Sequence, residues 1–368
     1  SLDGRWVVYS ADQDIDGRFE LYSVPADGRR AAVKLSTPSD HESVLSSLSY
    51  DSAWAVYRSD TSGTGTYEIF SAPIDGSAPA RRISGPMASG GDAYFAAISY
   101  DSLRVVYAAD QDVDQVYELY SAPIDGSAPP VKLNAPLPPG GDLTVSPANL
   151  LAGFYMMEDG VVYEADQEVD GLVEVYFAPI AGGTAPRKLV PGPLRWAYPA
   201  YGQGSPPSDF ARVFFWRERT LSSIGVEPGA QPILLDEAMS SIAVGDVGDF
   251  LLSASGERAV YRAREEGDGE LGELYSVRTD KPSEHVRLGS GLPSGGSQAA
   301  LFFTPDERRV IYRTSHWVGS SSDLYSELVD GSAPPVKLNV LPAGAAGEGA
   351  LLPDGQRLAF SAGVGTAA

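Results

Sequence analysis

One phrase written again and again limits the fold of this chain more than any other feature. It is clearest from Arg104 to Asn134, RVVYAADQDVDQVYELYSAPIDGSAPPVKLN; a near-copy runs from Arg5 to Ser36, and a late one closes on LVDGSAPPVKLN at Asn339. The apolar residue near the end of each copy recurs as Leu35, Ile83, Leu133, Leu189, Leu235, Leu288 and Leu338. That step of roughly 50 residues is in the range of propeller blades. Each copy holds four short apolar runs. In the second copy they are SVLSSLSY (Ser43 to Tyr50), WAVYRS (Trp54 to Ser59), TYEIFSAPI (Thr66 to Ile74) and ARRIS (Ala80 to Ser84). Between them stand Asp51-Ser52, a Gly-rich stretch and Asp75-Gly76. Asp-Gly between two β-rich runs marks a hairpin. Each copy is therefore expected to be a four-stranded antiparallel meander, with strands A to D.

Strands B and C read as nearly continuous apolar runs, as expected when both faces of a sheet are covered by neighbouring blades. Helical periodicity is missing, and 40 Gly with 28 Pro suit many short strands joined by tight turns. The expected fold is all-β, a β-propeller of four-stranded antiparallel blades. Seven blades are expected, with eight as the alternative. Seven close if a strand near 348–352 supplies strand A to the N-terminal copy, which begins at strand B; closure hides open sheet edges. Residues 1–352 are then the propeller and 353–368 an extra strand and tail, with the run Gln356 to Ser361 left over. An eight-bladed ring would need strands from before Ser1. The fourth copy is expected to carry an insertion, NLLAGFYMMEDG, between strands A and B. The fifth is worn: ARVFFWRER reads as strand B and QPILLD as strand D.

The formal charge is −22, from 49 acidic and 27 basic residues. Such a surface repels phosphate backbones and anionic headgroups, so nucleic acid and membrane surfaces are disfavoured as partners. There is no cysteine, which removes disulfides and thiolate metal sites. No apolar run is long enough to span a membrane as a helix, and no signal peptide is visible. The chain starts within a repeat, so a leader or upstream segment is expected to have been lost.

Ser1 to Tyr9, Leu352 to Phe360 (LPDGQRLAF) and Thr304 to Tyr312 (TPDERRVIY) resemble the S-P-D-G-x-x-I-A-F signature of TolB-type, WD40-like propeller repeats. The following D-x-D-G-x-x-E-L-Y and hydrophobic-x-D-G pieces resemble the rest of that blade. The resemblance covers nearly the whole chain and is weakest from about Arg195 to Asp246. It implies the propeller fold. For function it implies a range: periplasmic scaffolds, peptide-gating propellers of serine peptidases and bacterial surface proteins. The α/β domain that precedes the propeller in TolB is not seen in this sequence.

The sharpest local signal lies in the B–C loops. Asp12, Asp14 and Asp16 stand at alternate positions before Gly17 and Glu20. The pattern returns as Asp166, Glu168, Asp170, Gly171 and Glu174, and as Asp110, Asp112, Asp114 and Glu118 with Gln115 in the glycine's place. Calcium takes six to eight oxygens, and alternating carboxylates in a tight loop supply several, so these residues are candidate calcium ligands. The spacing resembles the loops of integrin-type propellers. The competing reading is turn chemistry, in which Asp bonds nearby backbone N–H groups and the Glu faces a Lys or Arg of a neighbouring blade. The D–A loops GPMASGGD, APLPPGGD and GLPSGGS are expected to share that face as a polar rim.

Catalysis finds little support. His41, His285 and His316 fall at unrelated places in their copies, and there is no G-x-S-x-G elbow, phosphate loop or zinc motif. Paired carboxylates for sugar chemistry stay open, because sequence does not fix their distances. Tyr9, Tyr57, Tyr107, Tyr163, Trp216, Tyr261, Tyr312 and Phe360 recur at one strand-B position and are expected in the packing between blades. His316-Trp317 stands where other copies have the acidic turn, and Trp317 is a candidate partner anchor.

The expected function is a non-enzymatic β-propeller: a protein-interaction or structural module of a bacterial envelope or extracellular assembly. A protein partner is expected, with no cofactor beyond calcium and a location outside the cytoplasm. Two alternatives stay open, a hydrolase or lyase acting on an extracellular polymer and a calcium-stabilised adhesive module.

Overall fold

The computed structural model describes residues 1–37, 42–144, 153–192, 196–198, 212–217, 220–235, 250–263, 273–290, 292, 296–316, 322–339, 346–352 and 357–362. Every regular element among them is a β-strand. The third blade shows the plan: strands Ala93–Ile98, Arg104–Ala109, Glu118–Pro123 and Val131–Lys132 hydrogen-bond in that order. Val, Ile and Tyr fill these runs because β-branched and aromatic side chains suit a pleated surface packed on both sides. The hairpin between strands C and D turns at Asp125-Gly126, where Asp125 accepts the Ser127 N–H at 2.9 Å and Gly126 takes φ 63°.

Six four-stranded sheets repeat this order, joined by one three-stranded and one two-stranded sheet. The three-stranded sheet is the first blade: Trp6–Ala11, Glu20–Pro25 and Val33–Lys34 as strands B, C and D. The two-stranded sheet pairs Ala346–Leu351 with Leu358–Ala362. The strand near 348–352, expected to complete the first blade, thus pairs with the run that the sequence had left over.

One expectation about the strands is corrected. In the fourth blade the insertion interrupts strand A and does not follow it. Leu143 bridges Ala165, the chain leaves after Thr144, and it returns at Gly153 to form strand Phe154–Met156 beside the same strand B, Gly160–Ala165. Thr144 N–H donates to Glu164 O at 2.9 Å and Glu164 N–H to Gly153 O at 2.8 Å, so departure and return close on one residue of strand B. A Cβ on Gly153 would lie 1.8 Å from Thr144 O, so only glycine fits that closure. In the fifth blade Thr220–Gly225 supplies the strand C that the sequence hid, between Arg212–Arg217 and Ile233–Leu234.

The chain divides into two compact units, Ser1–Pro193 and Leu194–Ala368. In the N-terminal unit the cores lie between successive blades. Strand B alternates between them: Ala55 and Tyr57 face the core shared with the first blade, while Val56 faces the core shared with the third. Hence the continuous apolar runs, since each face of the sheet has its own core. The first blade is the exception. Val7 is 49% exposed, although Val105 and Val161 at the same strand position are 0% exposed. In the C-terminal unit one core joins the fifth and sixth blades around Phe214, Tyr261 and Tyr275. Another joins the sixth and seventh around Val260, Tyr312 and Tyr325.

Candidate functional site

The acidic B–C loops can be taken position by position, because three copies use the same bonds. The first acid turns inward. Asp110 accepts the Gln115 N–H at 2.8 Å and the Asp92 N–H at 2.5 Å; Asp166 accepts those of Gly171 and Asp142 at 2.7 and 2.5 Å. Asp12 accepts the Gly17 N–H at 3.1 Å. The residue so bonded has φ of 75° at Gly17, 77° at Gly171 and 63° at Gln115. The third loop therefore keeps the left-handed turn without its glycine, at the cost of some backbone strain.

The second position is glutamine, which the sequence reading passed over. Gln111 Oε1 accepts the Tyr107 hydroxyl at 3.1 Å and the Gly85 N–H at 3.2 Å; Gln167 accepts those of Tyr163 and Ala135 at 2.9 and 3.2 Å. Gly85 and Ala135 follow strand D of the preceding blade, so each glutamine ties two blades.

The acid at the third position and the closing glutamate converge on a strand-D lysine. Lys132 meets Asp112 at 2.8 Å and Glu118 at 2.6 Å; Lys188 meets Glu168 at 2.7 Å and Glu174 at 2.6 Å. Lys34 meets Asp14 at 3.4 Å and also pairs with Glu20. Burial alone would lower the Lys132 ammonium, but Asp112 and Glu118 hold it above its usual range. Burial would likewise raise Glu174, yet Lys188, Tyr176 and the Gly192 N–H keep it below the ordinary carboxylate range. The signal for this clamp is legible in retrospect, as an acid at the start of strand C and a base fourteen residues later. It persists where the acidic loop is lost: Glu68 meets Arg82 at 2.6 Å, Asp323 meets Lys337 at 2.8 Å, and Glu273 pairs with Arg287.

The candidate ligands are thus dispersed. Asp12, Asp110 and Asp166 hold backbone, whereas Asp14, Asp112, Glu168, Glu20, Glu118 and Glu174 hold lysine. Asp16, Asp114 and Asp170 are exposed. Among the described residues no group of three or more His, Cys, Asp or Glu is arranged to hold a metal ion.

The D–A loops join the same construction. Asp92 accepts the N–H of Tyr67, in the preceding blade, at 2.7 Å while donating its own N–H to Asp110. Asp142 repeats the bond to Asp166, and one of its carboxylate oxygens is buried without a partner. Burial, helped by the nearby Asp166 and Asp110 and opposed by the Tyr117 N–H, pushes Asp142 up to about 6. Of GLPSGGS, much lies outside the described residues, as do His41 and Trp317.

The strand-B aromatics pack in pairs within the sheet. Tyr107 stacks on Tyr120 at 5.5 Å, Tyr163 on Tyr176 at 5.5 Å and Tyr312 on Tyr325 at 5.8 Å. Tyr107 and Tyr163 sit in cores between blades, as expected of a ring where twisted sheets meet.

No protein-family model and no curated protein matches the chain. Solved structures do. Dipeptidyl peptidase 4 from Porphyromonas gingivalis is similar at 11% identity and a TM-score of 0.52, over 89% of this chain and 48% of that one. TolB from Acinetobacter baumannii matches at 13% identity and a TM-score of 0.35, over 75% of this chain and 62% of that one. The β-propeller domain of the trilobed protease from Pyrococcus furiosus, described as an open velcro topology, matches at 12% identity and a TM-score of 0.41, over 92% and 95%. The chain spans about half to three-fifths of the peptidase and TolB structures. With its repeated four-stranded meanders, the fold is a β-propeller, and the phrases that resemble TolB-type repeats form its blades.

Proposed function

We propose that this chain is a non-enzymatic β-propeller serving as a protein-interaction or structural module of a bacterial envelope or extracellular assembly. One observation carries the reading. Except for the exposed Asp16, Asp114 and Asp170, the acids of the three B–C loops and the glutamates that close them are engaged within the blades, as turn-holding aspartates and as acids closed on Lys. Groups fixed by such bonds position loops; they are poor candidates for moving protons or receiving a substrate. The loops they hold form a rim of exposed side chains, which is what a partner would meet. Among the described residues no helix is long and apolar enough to cross a membrane.

The test is cross-linking in cells that make the protein, followed by reconstitution from purified components. A defined complex of fixed stoichiometry is expected. Release of new chain ends from peptide or polysaccharide polymers, lost on substitution of a loop carboxylate, would replace this reading with the hydrolase or lyase alternative.

A further inference from the structure

The fold accounts for four of the six positions in each acidic loop. The first acid holds the turn, the acid at the third position pairs with lysine, and the sixth residue supplies the left-handed conformation; the glutamine ties two blades in the third and fourth copies, and Gln13 accepts the Tyr9 hydroxyl at 3.4 Å in the first. Two positions remain: Ile15-Asp16, Val113-Asp114 and Val169-Asp170. Their apolar side chains are 52%, 56% and 56% exposed. A β-branched residue at a turn tip stabilises nothing when it stands in water.

The second blade supplies the control. Its loop reads Thr61-Ser62-Gly63-Thr64-Gly65, and Asp60 still accepts the N–H groups of Ser62, Gly63 and Gly65 at 3.0, 2.8 and 2.8 Å. The turn therefore forms without an apolar tip, and folding does not explain the other three. The outer acids are not spent either: Asp16, Asp114 and Asp170 are exposed and, among the described residues, meet no cationic side chain. Asp114 and Asp170 lie against Gly90 and Gly140 of the D–A loops, where a Cβ would come within 2.9 and 2.7 Å of a carboxylate oxygen. That contact limits the freedom of the carboxylate before anything binds. The unit that carries these tips, residues 1–193, has 27 acidic and 12 basic residues and so most of the chain's negative charge.

We propose that the Ile/Val–Asp tips of the first, third and fourth B–C loops are a docking surface for a basic protein segment in which Lys or Arg alternates with apolar side chains. The inference rests on the protein-interaction reading and adds the chemistry of the partner. The apolar residue of the segment covers an Ile or Val that water now surrounds, and the neighbouring cation meets the unspent aspartate. Phosphate backbones and anionic lipid meet like charge here and are excluded.

The probes are two synthetic peptides of equal length and charge, one alternating Lys with Leu and the other Lys with Ser. Anisotropy titrations at low and high salt would compare the wild type, Ile15→Ser/Val113→Ser/Val169→Ser and Asp16→Asn/Asp114→Asn/Asp170→Asn. All six side chains are exposed, so both triple variants should melt with the wild type. The Lys-Leu peptide should bind the wild type more tightly than the Lys-Ser peptide does. The serine variant should lose about tenfold in affinity, equivalent to about 1.4 kcal/mol. The asparagine variant should lose affinity together with most of the salt dependence. Equal binding of both peptides to all three proteins would overturn the proposal, leaving only bulk charge attraction. Absence of binding, or displacement by stoichiometric calcium, would overturn it as well. A native complex that cross-links elsewhere on the chain would then leave the wider reading standing without this surface.

Discussion

The third and seventh blades tie themselves to the blade before them by the same pair of bonds, made from different places. In the third, Gln111 of the B–C loop accepts the Tyr107 hydroxyl and the Gly85 N–H. In the seventh, Glu327 of strand C reaches the same tyrosine position and an N–H one residue nearer the preceding strand D, accepting the Tyr312 hydroxyl at 2.9 Å and the Gly289 N–H at 2.7 Å. What the fold keeps is the position of an acceptor oxygen, whatever residue delivers it. The exchange is not neutral. An amide holds no charge, whereas Glu327 is a buried carboxyl whose proton affinity burial raises, against the two hydrogen bonds it accepts.

The largest break in this comparison removes the tyrosine that both blades share. Tyr107→Ala and Tyr312→Ala should each cost about 3–5 kcal/mol in urea unfolding, since each side chain is wholly buried. Tyr9→Ala, at the same position in the less covered first blade, should cost roughly 1 kcal/mol. Equal costs would mean that the first blade is covered in solution.

Next comes the clamp. Lys132→Met strands the Glu118 carboxylate and should cost about 2 kcal/mol, below the fully buried case because the lysine side chain is 34% exposed. Lys132→Met with Glu118→Gln should recover part of that loss, and a double-mutant cycle measures how much.

Glu327→Gln gives the seventh blade the chemistry of the third. An acid raised in the folded state contributes stability at low pH that is lost as pH rises through its folded pKa. The variant should therefore match the wild type at pH below the ordinary glutamate range and exceed it by about 1 kcal/mol in mild alkali. A variant less stable at every pH would show that the charge is compensated. Asp142→Asn should behave in the same sense, its advantage developing between the ordinary aspartate range near pH 4 and about 6. The smallest expected effect is that of calcium. A site filled a hundredfold above its Kd would add about 2.7 kcal/mol, and with loop acids closed on lysine no change in melting temperature is expected. A rise with calcium would mean that metal displaces the clamp.

The blades were legible because nearly continuous apolar runs recur between Asp-Gly turns, and strand C of the third blade announces itself as Glu118-Leu119-Tyr120. Thr220–Gly225 was not legible, since TLSSIG carries neither the glutamate nor the tyrosine and depends on Phe214 and Phe215 across the sheet. Strand A of the fourth blade was hidden because its pieces are distant in sequence and meet only on Glu164. The acids of the candidate site were visible; the lysine that answers them stands at constant spacing on strand D of the same blade, where a cation of a neighbouring blade had been expected. Gln111 and Gln167 were not, because their partners are backbone N–H groups of another blade and leave no mark on composition.

The interruption at Thr144 and Gly153 has a practical side. Strand A changes register at Leu45/Ser47 in the second blade, Ala93/Ala96 in the third and Ala300/Phe302 in the seventh. The fourth blade carries its extra residues at the place of the third blade's shift, one strand-B residue from the shifts of the second and seventh, while strand B stays continuous beneath it. These irregular steps are natural splice points. A fluorescent reporter or an affinity tag grafted there, on a stem closed by glycine as at Gly153, would leave the ladder on either side paired.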